Sequence, residues 1–242
     1  DSETPLVGIH PLIIFESKDN LGFGQGNNIA LRYILTNNDH DYVWFLNNDT
    51  VIECSSLSSM IAAAKHHSPS IVGSVIKFYY TPNVVQAYGG GTLSMKTGIV
   101  KTEARKKPHR LNHINGASMM IDHCALNRLG LFDKNIFMYF EETEYCMRAI
   151  KRGVLFAVSD AIVYHKVGTL NRINSTYYSW VNVYKNKFYS FMKHHGFGLW
   201  RIFFWITLII NICNITLQTH KRKASLDALL HTFTICRRKL IK

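Results

Sequence analysis

Short apolar runs alternate with helical stretches through the first third of the chain. Leu12 to Phe15 reads as a buried strand. A stretch rich in glycine and asparagine follows, Asn20 to Asn28, and helical periodicity sets in from Ile29 to about Leu35. Asp41-Tyr-Val-Trp-Phe-Leu46 reads as a second strand and runs straight into Asn47-Asn48-Asp49-Thr50. A helix from about Ser56 to His67 and a strand from Ile71 to Ile76 continue the alternation. Strands separated by helices of this length predict an α/β fold, with a mostly parallel sheet and right-handed crossovers.

The middle of the chain is less regular. Gly89-Gly90-Gly91 leads into a hairpin over Thr92 to Lys101 that turns near Lys96-Thr97-Gly98. The basic run Arg105 to Arg110 reads as a solvated linker, with a phosphate or acceptor contact as the alternative. Asn115 to Ile121 predicts a strand, followed by a short helix that stops at Gly130. From Glu141 the apolar residues Tyr145, Met147, Ala149 and Ile150 suit a helix, with Gly153 as its stop. Its acids crowd the first turn and its bases the last, as the helix dipole favours. A strand pair, Leu155 to Val158 and Ala161 to Tyr164, then delivers His165.

Beyond this point the character changes. Tyr177 to Met192 is aromatic-rich and helical, and Ile202 to Leu217 is almost wholly apolar. The apolar run falls short of the roughly 20 residues that cross a bilayer. Trp200-Arg201 precedes it and His220-Lys-Arg-Lys223 follows it. A helix lying in or dipping into a membrane interface suits that pattern, and a buried helix packed on the sheet is the alternative. The expected division is a catalytic domain over residues 1–175 and a helical, membrane-associating region over 176–242.

Charge sharpens the question of partners. Lys and Arg number 28 against 16 Asp and Glu, a formal net charge of +12. Phosphorylated substrates, anionic lipid headgroups and nucleic acid would each suit such a surface. The basic residues carry no nucleic-acid motif and many flank apolar segments, so nucleic acid is not the expected partner. The 5 cysteines are scattered without CxxC spacing, which argues against a zinc site or disulfide framework and for a reducing compartment. The first residues are polar and include a proline, unlike a secretory signal.

Candidate chemistry gathers at three places. Asn47-Asn48-Asp49 follows a strand, where α/β folds place their sites. A carboxylate there can hold Mg²⁺ or Mn²⁺ while a substrate diphosphate supplies further ligands, although the same residues also suit a turn. His165 too ends a strand, as a ligand or a structural residue. Glu141, Glu142 and Glu144 open a helix, where dipole pairing alone explains acids, yet an acid beside Phe137-Met-Tyr-Phe140 could be tuned into a general base.

Taken in order, these segments resemble the large inverting glycosyltransferase family 2, especially its bacterial rhamnosyltransferase-like members. Asn20-Leu-Gly-Phe-Gly-Gln-Gly-Asn-Asn28 is similar to that family's NxGFGxGNN stretch, and Tyr42 to Val51 (YVWFLNNDTV) to its strand and DxD-type metal motif. Asn115-Gly-Ala-Ser-Met-Met-Ile121 resembles the segment beneath the sugar. Leu131 to Ala149 resembles the GxFDExFFMYxEDxDLCxRA signature, and Ala161 to Gly168 the closing xxVxHxxG.

The resemblance implies a GT-A fold and a direct-displacement sugar transfer. Asp49 would anchor Mg²⁺ or Mn²⁺ on the donor diphosphate, with His165 as second ligand. Asn20, Gly22, Gly24, Gly26, Asn27, Asn47, Asn48 and Gly116 would line the donor site. Glu142 would be the general base, with Glu141 beside it. Family members commonly carry aspartate at the positions of Glu142 and Glu144, and glycine at that of Ala30. They also open with a strand-helix-strand unit ending in a VDNxSxD-like turn, of which Asp1 to Thr4 would be the remnant. A truncated or inactive glycosyltransferase remnant is thus the alternative expectation. The main expectation is a nucleotide-sugar donor, with dTDP-rhamnose as the expected one, and a lipid-linked saccharide acceptor in surface polysaccharide synthesis. The expected location is the cytoplasmic face of the inner membrane, peripheral or monotopic, against anionic lipid.

Overall fold

The computed structural model describes residues 12–38, 40–105, 111–166 and 177–195. A mixed six-stranded sheet lies at its centre, built from β1 (Tyr42–Leu46), β2 (Thr50–Ile52), β3 (Ser70–Phe78), β4 (Thr81–Tyr88), β8 (Ser118–Asp122) and β9 (Leu155–His165). The order is β1-β8-β3-β9-β2. Strand β3 carries β8 on its first half and β4 on its second, with β9 along its other edge. A smaller three-stranded sheet joins β5 (Gly90–Leu93), β6 (Val100–Thr102) and β7 (His113–Ile114). The expected hairpin is β5–β6, paired from Gly91↔Thr102 to Leu93↔Val100.

The pleat sends alternate side chains to two different helical layers. Phe45, Ile71, Met119 and Ile121 pack with Leu31 of α1 (Gly22–Asn37), Leu126 of α3 (His123–Leu129) and Tyr145 of α4 (Glu141–Lys151). Their neighbours Val72 and Met120 turn the other way, onto Met60 and Ala64 of α2 (Ser56–Lys65). The continuous run Ser70 to Ile76 is buried throughout, as a strand covered on both faces must be. Each large core side chain here contributes roughly 1.5–3 kcal/mol by leaving water.

Four expectations need correction. The sheet is mixed: β3–β9 is parallel, whereas β1–β8, β3–β8, β3–β4 and β2–β9 are antiparallel. Strands β1 and β3, separated by α2, do run in one direction, but β8 comes from later in the chain and sits between them. Helix-strand alternation fixes the direction of successive strands and says nothing about a strand inserted afterwards. Second, Leu12 to Phe15 forms no strand and is exposed, with Phe15 resting edge-on against Tyr33 at 5.6 Å. A short apolar run makes a strand only where a sheet edge receives it.

Third, helix α1 begins at Gly22 and not near Ile29, so the glycine- and asparagine-rich stretch forms its first turns. Tertiary packing overrides glycine's weak helix propensity there. Fourth, the expected strand pair is one strand, β9, whose register against β3 shifts between Gly73 and Val75. A local irregularity in a continuous strand imitates a turn in sequence.

Helix α5 (Tyr177–His195) packs on α4 and on the loop before it. Phe191 joins Met147, Cys146 and Leu93 in an apolar cluster. Glu144, fully buried, meets Arg148 at 3.0 Å, Lys193 at 2.7 Å and His194 at 3.1 Å. Among the described residues no helix is long and apolar enough to cross a membrane. Ile202 to Leu217 and most of the basic run at 105–110 lie outside the described residues, and Cys54, Cys124 and Cys146 are free thiols.

Candidate active site

A tight turn after β1 brings an acid back against the end of β9. The Asn47 carbonyl accepts from both the backbone N–H and the hydroxyl of Thr50, at 3.2 and 2.7 Å. Thr50 then pairs with His165, and the Asp49 carbonyl accepts from the Lys166 N–H at 2.9 Å. The result is an Asp49 Oδ1 that lies 3.1 Å from His165 Nε2. The other ring nitrogen, Nδ1, is 3.1 Å from Gln86 Oε1 and must donate to it.

Electrostatics make this pair informative. Burial lowers the His165 pKa, and the Asp49 carboxylate only partly offsets that, so the ring is held neutral more readily than usual. A neutral ring that donates through Nδ1 turns a bare lone pair at Nε2 toward a carboxylate oxygen. Asp49 Oδ1 is itself shielded from solvent and lacks a well-aligned hydrogen-bond donor. At that separation the two atoms are held together by a shared proton or by a cation that lies against both. The donor set, one carboxylate oxygen and one oriented imidazole, fits a divalent ion that draws its other ligands from diphosphate and water. Among the described residues no group of three or more His, Cys, Asp or Glu is placed to hold a metal ion, so this site offers two side-chain ligands of those types.

The second cluster opens α4. Tyr139 and Phe140 both adopt positive φ, 68° and 76°, which is costly for non-glycine residues. The buried Asn186 of α5 donates to the carbonyls of Met138 and Tyr139, each at 2.8 Å, and so fastens the turn. The three acids that follow meet three different fates. Glu141 is buried, and burial together with the neighbouring Glu142 charge pushes its pKa up to about 8. Glu144 is also buried, which alone would raise it, but His194, Arg148 and Lys193 hold it below the usual range. Glu142 alone reaches solvent, with its side chain 26% exposed.

Glu142 lies over Gly116, where an added Cβ would fall 3.3 Å from the Glu142 Cβ. Its Oε1 is 3.3 Å from Thr143 Oγ1 and 3.8 Å from Nε2 of the buried His113. His113 Nε2 is in turn 3.0 Å from Thr143 Oγ1. Burial lowers the His113 pKa against the opposing pull of Glu142. The residue after Gly116 ties this cluster to the first one, because the Asn47 N–H donates to the Ala117 carbonyl at 3.1 Å.

The remaining candidates serve packing contacts of α1. Asn20 Oδ1 accepts from the Gly22 N–H at 3.0 Å, and Asn27 Nδ2 donates to Phe23 O at 2.9 Å. Gly22, at φ +72°, lies so close to the Phe137 carbonyl that any Cβ would collide with it. Gly24 packs on Phe132 and Glu141, whereas Gly26 faces open space. The structure thus joins Asp49 to His165, and Gly116 to Glu142, with Asn47 between the two clusters and Asn48 exposed beside Asp49. Sequence reasoning passed over His113, Thr143, Gln86 and Asn186. Thr143 stood inside the acidic run already singled out, and His113 two residues before Asn115.

No protein-family model matches the chain. It is 27% identical over 188 residues to the low-salt glycan biosynthesis hexosyltransferase Agl10 of Haloferax volcanii, covering 72% of this chain and 58% of that protein. It is 25% identical over 174 residues to the rhamnosyltransferase WbbL of Escherichia coli, covering 65% of this chain and 64% of that one. The chain spans about three-fifths of the length of these curated relatives. Its fold is similar to that of GalNAc-T7, solved with UDP, GalNAc and Mn²⁺, at a TM-score of 0.61, 13% identity, 88% of this chain and 42% of that one. A mannosyltransferase from Pyrobaculum calidifontis, solved with GDP-Man and Mn²⁺, matches at 0.51, 12% identity, 91% of this chain and 57% of that one. Both curated relatives are named as sugar transferases, and the solved structures share this chain's mixed α/β fold.

Proposed function

We propose that this chain carries the catalytic unit of an inverting glycosyltransferase that uses a nucleotide-sugar donor and a divalent cation. The observation that carries the reading is the Asp49–His165 pair, a carboxylate oxygen and an imidazole nitrogen 3.1 Å apart, set one short turn from the Gly116–Glu142 cluster. Asp49 and His165 would hold Mg²⁺ or Mn²⁺, which when bound neutralises charge on a departing diphosphate. Gln86 keeps the His165 ring in the tautomer that can ligate. Glu142, the one acid of its cluster that reaches solvent, accepts the proton of the acceptor hydroxyl. The acceptor oxygen bonds to the anomeric carbon as the bond from that carbon to the diphosphate oxygen breaks on the opposite face, so the anomeric configuration inverts.

The finer reading is a rhamnose moved from dTDP-rhamnose to a lipid-linked saccharide in surface polysaccharide synthesis, at the cytoplasmic face of the inner membrane. The name of the Escherichia coli relative supports the sugar. The excess of basic residues supports an anionic membrane surface as partner. Incubation of the chain with dTDP-rhamnose, UDP-sugars or GDP-mannose, Mn²⁺ and a lipid-linked saccharide tests it by mass spectrometry of the acceptor. One added sugar, lost in Glu142→Gln, is the expected result. Transfer that is unchanged in Glu142→Gln contradicts the assignment of the base.

A further inference from the structure

We propose that His113 and Thr143 are positioning residues that hold the Glu142 carboxylate aimed, through a one-way chain of hydrogen bonds. The inference deepens the reading above and rests on it only for the role of Glu142 in transfer. The direction of the chain follows from donor counts. An ionised carboxylate can only accept, so at 3.3 Å from Glu142 Oε1 the Thr143 hydroxyl spends its single proton there. Thr143 Oγ1 then has only lone pairs left for His113 Nε2, 3.0 Å away. His113 must therefore carry its proton on Nε2. Its Nδ1, buried with no hydrogen-bond partner, is left as the bare nitrogen of a neutral ring.

His113 thus donates to Thr143 and Thr143 to Glu142, whose other oxygen is left for an acceptor hydroxyl. Hydrogen bonds to the charged form favour that form. The other titratable groups around the carboxylate leave this task to the chain. Glu141, beside it on α4, holds its proton up to about pH 8, and Cys146 is a buried thiol pushed up to about 12. On α5, Lys193 and His194 are engaged by Glu144. From β7 the facing group is His113 itself, and from the following loop Gly116 offers only close backbone.

The test reads Glu142 directly and needs no turnover. The full chain, labelled with ¹³C at glutamate Cδ, is titrated by NMR, with the Glu142 resonance assigned by its loss in Glu142→Gln. His113→Leu and Thr143→Val should each move the Glu142 midpoint up by about one pH unit, a tenfold change in ionisation. His113→Gln, which keeps a donor near the Nε2 position, should stay near the parent. ¹⁵N spectra should show His113 as the neutral Nε2–H tautomer. Unmoved midpoints in folded Leu and Val variants, or an Nδ1–H tautomer, overturn the inference. In the transfer assay the acid limb of the pH–rate profile should move with the midpoint. Moved midpoints in a chain that transfers no sugar sustain the inference and overturn the proposed reaction instead.

Discussion

Glu141→Gln isolates one consequence of opening helix α4 on a buried acid. The folded chain raises the Glu141 pKa from 4.5 to about 8, first by burial and then by the charge of Glu142. Below pH 4.5 the carboxyl is protonated in both folded and unfolded chains, and folding is not penalised. As pH rises toward 8 the unfolded chain releases this proton while the folded chain keeps it, so stability falls across that window and levels off above it. A displacement of this size corresponds to roughly 5 kcal/mol, and relaxation around the coupled pair of acids makes about 3 kcal/mol the expected loss. Glutamine has the same shape and no proton to lose. Its amide leaves a donor unpaired near the Oε2 position, where the parent oxygen has no partner, at a cost of about 1–3 kcal/mol independent of pH. Urea unfolding of parent and variant at pH 5, 6.5 and 8.5 separates the two contributions. The variant should be the less stable protein at pH 5 and should gain about 3 kcal/mol on the parent by pH 8.5. Two curves that stay parallel within about 1 kcal/mol would refute the reasoning.

Other perturbations probe neighbouring parts of the account. Gln86→Leu removes the acceptor that orients His165, and should weaken Mn²⁺ affinity about 10–100-fold without unfolding the chain, read by calorimetric Mn²⁺ titration. Gly116→Ala places a methyl 3.3 Å from the Glu142 Cβ, and should cut transfer by about a hundredfold while nucleotide affinity stays within about twofold. Asn28→Leu breaks the pair of hydrogen bonds that Asn28 makes with the Phe132 backbone, at 3.0 and 2.8 Å. It leaves those buried groups unpaired, for a loss of about 2–4 kcal/mol in urea melts.

Much of this arrangement was legible before the structure, for identifiable reasons. Strand β1 and its following turn announce themselves because Tyr42 to Leu46 is apolar and ends abruptly in polar residues. The start of α4 was legible because its acids and its terminal glycine agree with the dipole and with a helix stop. Sheet direction was not legible: β8, which begins at Ser118, reaches its place between β1 and β3 long after β3 has ended at Phe78, and local periodicity carries no record of insertion. The glycines of α1 misled for a similar reason. Gly22 and Gly24 are demanded by the Phe137 carbonyl and the Phe132 ring, contacts made across more than a hundred residues, and they read locally as a loop. Within the acidic cluster, dipole pairing could not separate three carboxyls. Their surroundings do, since Glu144 receives cations from α5, Glu141 receives none, and Glu142 reaches solvent. His113 and Gln86 carry no local signal, because each matters only through a partner brought to it by the fold.

The most direct test of the central claim is calorimetric titration of dTDP, UDP and GDP into the chain with and without Mn²⁺, repeated on Asp49→Ala. Mn²⁺-dependent binding of at least one nucleotide, lost in Asp49→Ala while the thermal unfolding midpoint is kept, is the predicted result. Binding that ignores Mn²⁺, or that survives in Asp49→Ala, would contradict a donor site built on Asp49 and His165.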